Sequence, residues 1–240
     1  MEATHSSFDF KKSIERIDEI LFSSDASYDD HKGVPARSTL TFLNGYYVDI
    51  TILFVDLRGS KELSTKHTRP VLAKMYRAYI SEVIAVMKGD STISEVYIEG
   101  DGVWGVFNTT TNKHVQDVFS TAAKISSLID IMNIKLAKRK YSTIKVGIGI
   151  EDGETLYIKA GFKGSGLNEV VWIGRPVGAA AALCKVGNKT TGDKELMVSE
   201  RVYEMLSDHQ KKLLTYNKNR GCYHGNVINN PMNEWVSENG

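Results

Sequence analysis

Two aspartates sit where carboxylates do chemistry rather than solvation. Asp56 closes an almost continuously apolar run, DITILFVD (49–56), and a turn follows at once in Leu57-Arg58-Gly59-Ser60. Asp101 stands between glycines in Glu99-Gly100-Asp101-Gly102, forty-five positions further on. Alone, Asp101 is ordinary hairpin chemistry, since Asp-Gly is a favoured turn pair. Asp56 has no such duty at the end of a buried run. If both carboxylates enter one space, each opposes ionisation of the other. A divalent cation relieves that conflict. Asp oxygens suit Mg²⁺ or Mn²⁺, and Mg²⁺ held by few carboxylates usually also holds substrate phosphates. Backbone N–H groups of the turn 57–60 would then face those phosphates.

The elements that position these residues follow from the hydrophobic pattern. The run 49–56 reads as a central strand buried on both faces. Residues 70–87 read as a helix, opened by Pro70 and ended by Gly89, with Leu72, Met75, Tyr76, Tyr79, Val83 and Val86 on one stripe. Two strand-like runs, 93–98 and 103–107, flank Glu99-Gly100-Asp101-Gly102 as a hairpin. A second long amphipathic helix covers 115–140, and strands follow at 143–150, 156–160 and 170–173 around the loop 161–166. A small-residue helix spans 178–184, with a short strand at 196–199 and a short helix at 200–206. The order β-α-β-β-α-β predicts an α/β (α+β) domain of ferredoxin-like type, with a sheet carrying helices on one face and further strands and helices appended. Residues 1–42 read as a partly helical N-terminal extension, with a helix in 8–22 and a loop in 23–32. Residues 43–215 form the main domain. The Asn- and Gly-rich stretch 216–240 reads as a loose tail.

Composition excludes several function classes. With 30 Lys and Arg against 29 Asp and Glu, the net charge of +1 offers no basic footprint for nucleic acid. The one basic run, Lys135 to Lys140, caps a helix C-terminus, where cations suit the macrodipole. No apolar run approaches the roughly 18–20 residues that span a bilayer, and the polar N-terminus lacks a signal pattern, so a cytoplasmic protein without membrane contact is expected. Two cysteines, Cys184 and Cys222, make neither a disulfide framework nor a zinc knuckle. The six histidines are scattered, with no zinc-ligand spacing.

Read together, these segments resemble the class III nucleotidyl cyclases. Phe54-Val55-Asp56-Leu57-Arg58-Gly59-Ser60 resembles the first metal motif of that family, and Glu99-Gly100-Asp101-Gly102 the second. The stretch 146–150, VGIGI, is similar to the strand entering its second hairpin. Trp172-Ile173-Gly174-Arg175-Pro176-Val177 resembles its G-x-x-V-N segment without the Asn, and 197–203 the strand and helix near its end. The resemblance covers roughly residues 45–210. It implies a homodimer with the active site at the subunit interface. Two divalent ions, Mn²⁺ or Mg²⁺, would be held by Asp56, Asp101 and the Leu57 carbonyl. Phosphate oxygens would be held by the amides of Arg58, Gly59 and Ser60. The 3′-hydroxyl of the nucleotide attacks the α-phosphorus and pyrophosphate leaves.

The departures from the family pattern point to the base and weaken the mechanism. Tyr97 stands where adenylate cyclases carry a Lys that reads adenine and guanylate cyclases a Glu. Val171 stands at the second base-reading position. Tyr at this place resembles the uridylate branch of the pyrimidine cyclases of bacterial Pycsar antiphage defence, and Arg the cytidylate branch. Tyr97 also has a plain reading as a strand-forming residue. The ribose-orienting Asn and the transition-state Arg of the family fall at Gly178 and Ala182, so Arg175 and Lys185 are the cations available to substitute. The resemblance therefore implies a uridylate cyclase turning UTP into 3′,5′-cyclic UMP, a second messenger read by a separate effector protein. A cytidylate cyclase and a nucleotide-binding module of the same fold remain open beside it.

Overall fold

The computed structural model describes residues 5–164 and 166–240. In chain order its elements are α1 (Phe10–Leu21), β1 (Tyr28–Asp30), β2 (Gly45–Arg58), α2 (Ser60–Lys66), α3 (Arg69–Lys88), β3 (Ile93–Glu99) and β4 (Gly102–Phe107). They continue as α4 (Asn112–Lys138), β5 (Lys145–Phe162), β6 (Leu167–Ile173), α5 (Arg175–Val186), β7 (Leu196–Val198), α6 (Glu200–Met205), α7 (Asp208–Lys211), β8 (Thr215–Asn217), β9 (Cys222–Gly225) and α8 (Asn230–Asn239). The expected β-α-β-β-α-β order is present as β2-α3-β3-β4-α4-β5. Met1 to Thr4 of the polar N-terminus, and Ser165 in the expected loop 161–166, lie outside the described residues.

One sheet of order β3-β4-β2-β5-β7-β9-β8 organises the chain, with β1 added to β2 and β6 to β5. Strand β2 lies antiparallel to β4 on one side and β5 on the other, which is why its sequence is apolar on both faces. Alternation divides its side chains. Leu53, Val55 and Leu57 enter the core under α3 and α4, with Met75, Tyr79 and Val83 from α3 and Val118, Ile125 and Ile129 from α4. Val48, Ile50 and Ile52 enter a second cluster on the opposite face, with Trp104, Tyr157, Trp172 and Ala180.

Helices on one face only is corrected by α5, which lies on that second face. The reason is the VGIGI stretch of β5. A methyl group at Gly147 would overlap the Cys184 carbonyl oxygen, and one at Gly149 the Ala180 carbonyl oxygen and the Cys184 nitrogen. The two glycines let the α5 backbone rest directly on the sheet, while Val146, Ile148 and Ile150 between them fill the core on the other side.

Four local expectations are also corrected. Strands expected at 143–150 and 156–160 are one strand, β5, because β2 pairs with it continuously from Gly45↔Ile158 to Arg58↔Lys145. Leu57 and Arg58 extend β2 rather than form a turn, and only Gly59 turns the chain, with φ +69 at the start of α2. The loop expected at 23–32 contains β1, paired in parallel with Gly45 to Tyr47. The stretch after Thr215 is ordered: β9 pairs with β7, β8 pairs with β9, and α8 packs on α4. Local composition hid these elements because their partners lie far away in the chain. Helix α1 buries none of its residues. No helix among the described residues is long and apolar enough to cross a membrane.

Candidate active site

The β2–β4 ladder ends at Val55↔Val103, while β2 runs three residues further against β5 alone. The hairpin turn Gly100-Asp101 closes β3 onto β4 at that end, through the pair Glu99↔Gly102. Beyond β4, one side of β2 is therefore open, and Asp101 stands beside it. Asp56 is close: a Cβ placed on Gly102 would lie 3.5 Å from its Oδ1. Burial and the facing Asp101 carboxylate raise the Asp56 pKa, and Arg58 partly offsets both. Tyr76 of α3 adds a phenol beside Ser60, and its pKa is raised by burial and by the same two carboxylates. Below them the Tyr79 hydroxyl is buried without a hydrogen-bond partner.

Backbone direction supplies a third oxygen. The Ile148 amide donates to the Glu195 carbonyl on the β7 side, so its neighbour Gly147 faces β2 and the paired Asp56 backbone faces β5. The Leu57 backbone then faces the open side of β2, the side on which Asp101 stands. By the same alternation the Arg58 amide turns toward Lys145, so only Gly59 and Ser60 carry amides beyond the ladder. Among the described residues no three His, Cys, Asp or Glu side chains gather at one metal-sized point. The oxygens available on the open side are the Asp56 and Asp101 carboxylates and the Leu57 carbonyl. That set of hard oxygens fits a divalent cation that keeps waters or takes phosphate oxygens.

The Arg58 side chain has a role that the sequence did not suggest. Its Nη1 lies 2.9 Å from Asp56 Oδ2, its Nε donates to the Gly187 carbonyl at 2.8 Å, and its Nη2 donates to the Cys184 carbonyl. The guanidinium ties the end of β2 to the C-terminal carbonyls of α5, where a cation is favoured.

Tyr97 lies on the sheet face that carries α5. Its ring stacks on Trp104 at 4.2 Å, and Trp104 stacks on Phe54 at 5.1 Å, a ladder of directly paired residues across β3, β4 and β2. Its hydroxyl donates to Glu95, two residues back on the same face. Glu95 is 8% exposed. Its Oε1 accepts from Arg37 Nε at 2.6 Å and its Oε2 from Trp172 Nε1 at 3.1 Å. Trp172 Nε1 also lies 3.1 Å from the Tyr97 hydroxyl. Burial first, then Glu95, raises the Tyr97 pKa well above that of a free phenol, so the group stays neutral. Val171, adjacent to Trp172 on β6, alternates to the strand's other face and is exposed. The residue that the fold brings to Tyr97 is Trp172.

Helix α5 spreads the remaining candidates. Arg175 pairs with Glu151 at 3.7 Å. Glu151 opposes Ile52, four strand positions from Asp56, or about 13 Å at the usual rise. Arg175 is therefore not gathered with the two aspartates. Lys185 is exposed at the other end of α5, next to the Cys184 carbonyl that Arg58 holds. A Cβ on Gly178 would meet nothing within 4 Å, so packing does not demand a glycine there. Ala182 lines a cleft of about 690 Å³ together with Arg175, Glu151 and Arg220.

Of the residues that sequence reasoning missed, Glu95 carried a signal, since two residues apart on a strand means one face. Arg37 carried none, being fifty-eight positions from Glu95.

Comparison with known proteins adds an independent line. The adenylate and guanylate cyclase catalytic domain profile matches residues 44–229. A protein of Treponema porcinum named uridylate cyclase is 34% identical over 235 residues, covering 96% of this chain and 82% of its own length. A uridylate cyclase of Gulbenkiania mobilis is 34% identical over 258 residues, covering 100% of both. Among solved structures, the adenylyl cyclase CyaB from P. aeruginosa superposes with a TM-score of 0.61 at 19% identity, over 72% of this chain and 85% of that one.

Proposed function

The chain belongs to the adenylate and guanylate cyclase catalytic-domain family, and from that membership we propose that it converts UTP to 3′,5′-cyclic UMP and pyrophosphate. The observation that carries the choice of base is similarity over 96–100% of this chain to two proteins named uridylate cyclase, in a chain with Tyr97 at the base-reading position.

In this reading Asp56, Asp101 and the Leu57 carbonyl hold two divalent ions, Mn²⁺ or Mg²⁺. When bound, the ions lower the pKa of the 3′-hydroxyl and steady the leaving pyrophosphate. The chain's own contribution is positional. Arg58 keeps Asp56 oriented and anchors α5. The amides of Gly59 and Ser60 take phosphate oxygens. Tyr97 faces the base, and Lys185 is the cation of α5 at the carboxylate end. A homodimer with the nucleotide between subunits completes the site, and a separate effector protein reads the product in antiphage defence. Gly178 and Ala182 favour a second reading, a nucleotide-binding module that does not turn over.

The test is to incubate the full chain with ATP, GTP, CTP and UTP separately with Mn²⁺, and to identify products by mass. Cyclic UMP, abolished by Asp56→Ala or Asp101→Ala, is expected. Cyclic CMP instead would keep the enzyme and correct the base. Binding without product from any nucleotide would establish the second reading.

A further inference from the structure

Glu95 is a buried carboxylate with no place in the cyclisation chemistry, yet it collects three donors, one from its own strand and two from distant segments. Arg37 precedes β2, Tyr97 lies on β3 and Trp172 on β6. Arg37 also reaches Glu169 on β6 at 3.1 Å. We propose that Glu95, held by Arg37, fixes the hydrogen-bond polarity of Tyr97 and so decides which pyrimidine this site accepts; this rests on the reading that Tyr97 faces the base.

A phenol is a donor and an acceptor at once, and on its own it satisfies uracil or cytosine equally well. A carboxylate paired with a guanidinium only accepts. The Tyr97 proton is therefore committed to Glu95, one lone pair accepts from the Trp172 N–H, and toward a base the oxygen offers only its remaining lone pair. Uracil presents an N–H at N3 and matches it. Cytosine presents a lone pair at N3 and leaves two acceptors facing each other, an unmade bond in a partly desolvated place. The nearest other polar atom, the Trp172 indole N–H, is already directed to Glu95 and to the Tyr97 oxygen. Glu95 acts through Tyr97, so it is a positioning residue.

The geometry also dictates what an amide would do. Arg37 donates to Oε1 while Tyr97 and Trp172 donate to Oε2, so a Glu95→Gln side chain that keeps its oxygen on the charged Arg37 turns its NH₂ against Tyr97 and leaves the Trp172 N–H to the phenol oxygen alone. The amide then donates to the phenol oxygen, and the Tyr97 proton is released toward the base. That inverts the preference at N3.

The experiment measures the ratio of UTP to CTP affinity by equilibrium binding, and the ratio of their cyclic products in competition, for the full chain and for Glu95→Gln. Both ratios should move toward CTP by about tenfold, the size of one hydrogen bond made or missed. In a Tyr97→Phe background the same substitution should leave the ratios unchanged, which a merely structural Glu95 would not predict. If Glu95→Gln does not fold, Arg37→Gln replaces it. Arg37 is more than half exposed, and its loss frees the carboxylate to rotate from Tyr97, so a shift of about threefold in the same direction is expected. Ratios unchanged in the folded variant, or no binding of either nucleotide by the parent chain, overturn the proposal. A parent that makes cyclic CMP while Glu95→Gln still shifts the ratio toward CTP sinks the uridylate reading and leaves the role of Glu95 standing.

Discussion

At the scale of single residues, the candidate site is a pair of like charges kept together by the fold. Burial and Asp101 together raise the Asp56 pKa. A carboxyl whose folded-state pKa lies above its unfolded value favours the folded state when protonated. The pair therefore costs stability as pH rises through the carboxylate range, and that cost is fully present at neutral pH. Asp56 is more than a third exposed, so solvent screens much of it. Asp101→Asn should raise the metal-free melting temperature at pH 7.5 by about 1 °C. The gain should shrink as the pH falls into the acid range and the parent Asp56, its pKa raised, takes up its proton. Added Mn²⁺ should stabilise the parent and leave the variant unmoved. Melting curves with and without Mn²⁺ at neutral and acid pH check all three outcomes. Asp56→Asn is the less clean variant, because it also strips Arg58 of its partner.

At the scale of elements, the site depends on how closely α5 lies on β5. Arg58 reaches the Cys184 and Gly187 carbonyls only because Gly147 and Gly149 leave no side chain between helix and sheet. Gly149→Ala puts a methyl into the backbone of α5 and not against a flexible side chain, so relaxation must move the helix. Overpacking of this kind costs about 2–3 kcal/mol, and for a chain of this size the melting temperature should fall by about 5–10 °C. Thermal denaturation followed by circular dichroism checks this, and turnover should fall further than stability because α5 carries the Arg58 anchor. The same element shows how much was legible. Small residues over 178–184 announced a helix, and VGIGI announced a strand, but nothing local announced that one rests on the other. The order of the C-terminal segment is hidden from the sequence for a related reason. An Asn- and Gly-rich stretch looks loose alone, whereas Arg220 is bound to the buried Asp193 through two nitrogens, at 3.0 and 2.7 Å, and β9 extends the sheet.

At the scale of the whole molecule, the two faces of the sheet have different tasks. One is closed by α3 and α4 over the main core. The other is covered in part by α5 and carries the aromatic ladder, Glu95 and Trp172. The proposal that a second copy completes the site makes a simple kinetic prediction. Cyclase activity per mole of chain should fall on dilution, with a midpoint that coincides with the loss of a species of twice the 26.7 kDa chain mass in sedimentation. Constant specific activity down to dilutions where only monomer sediments would refute the shared site.

The sequence by itself determined the β-α-β-β-α-β order, the two long helices and the family, because these rest on period, on turn chemistry and on motifs whose spacing is local. It also placed Asp56 and Asp101 at the ends of adjacent elements. Only the tertiary structure decided that the Leu57 carbonyl faces the open side of β2, that Arg175 pairs with Glu151 and not with the aspartates, and that Trp172, not Val171, meets Tyr97. It alone brought Arg37 to Glu95 across fifty-eight positions. A hydrogen bond's direction depends on which groups meet, and chain folding, not spacing along the chain, decides which groups meet.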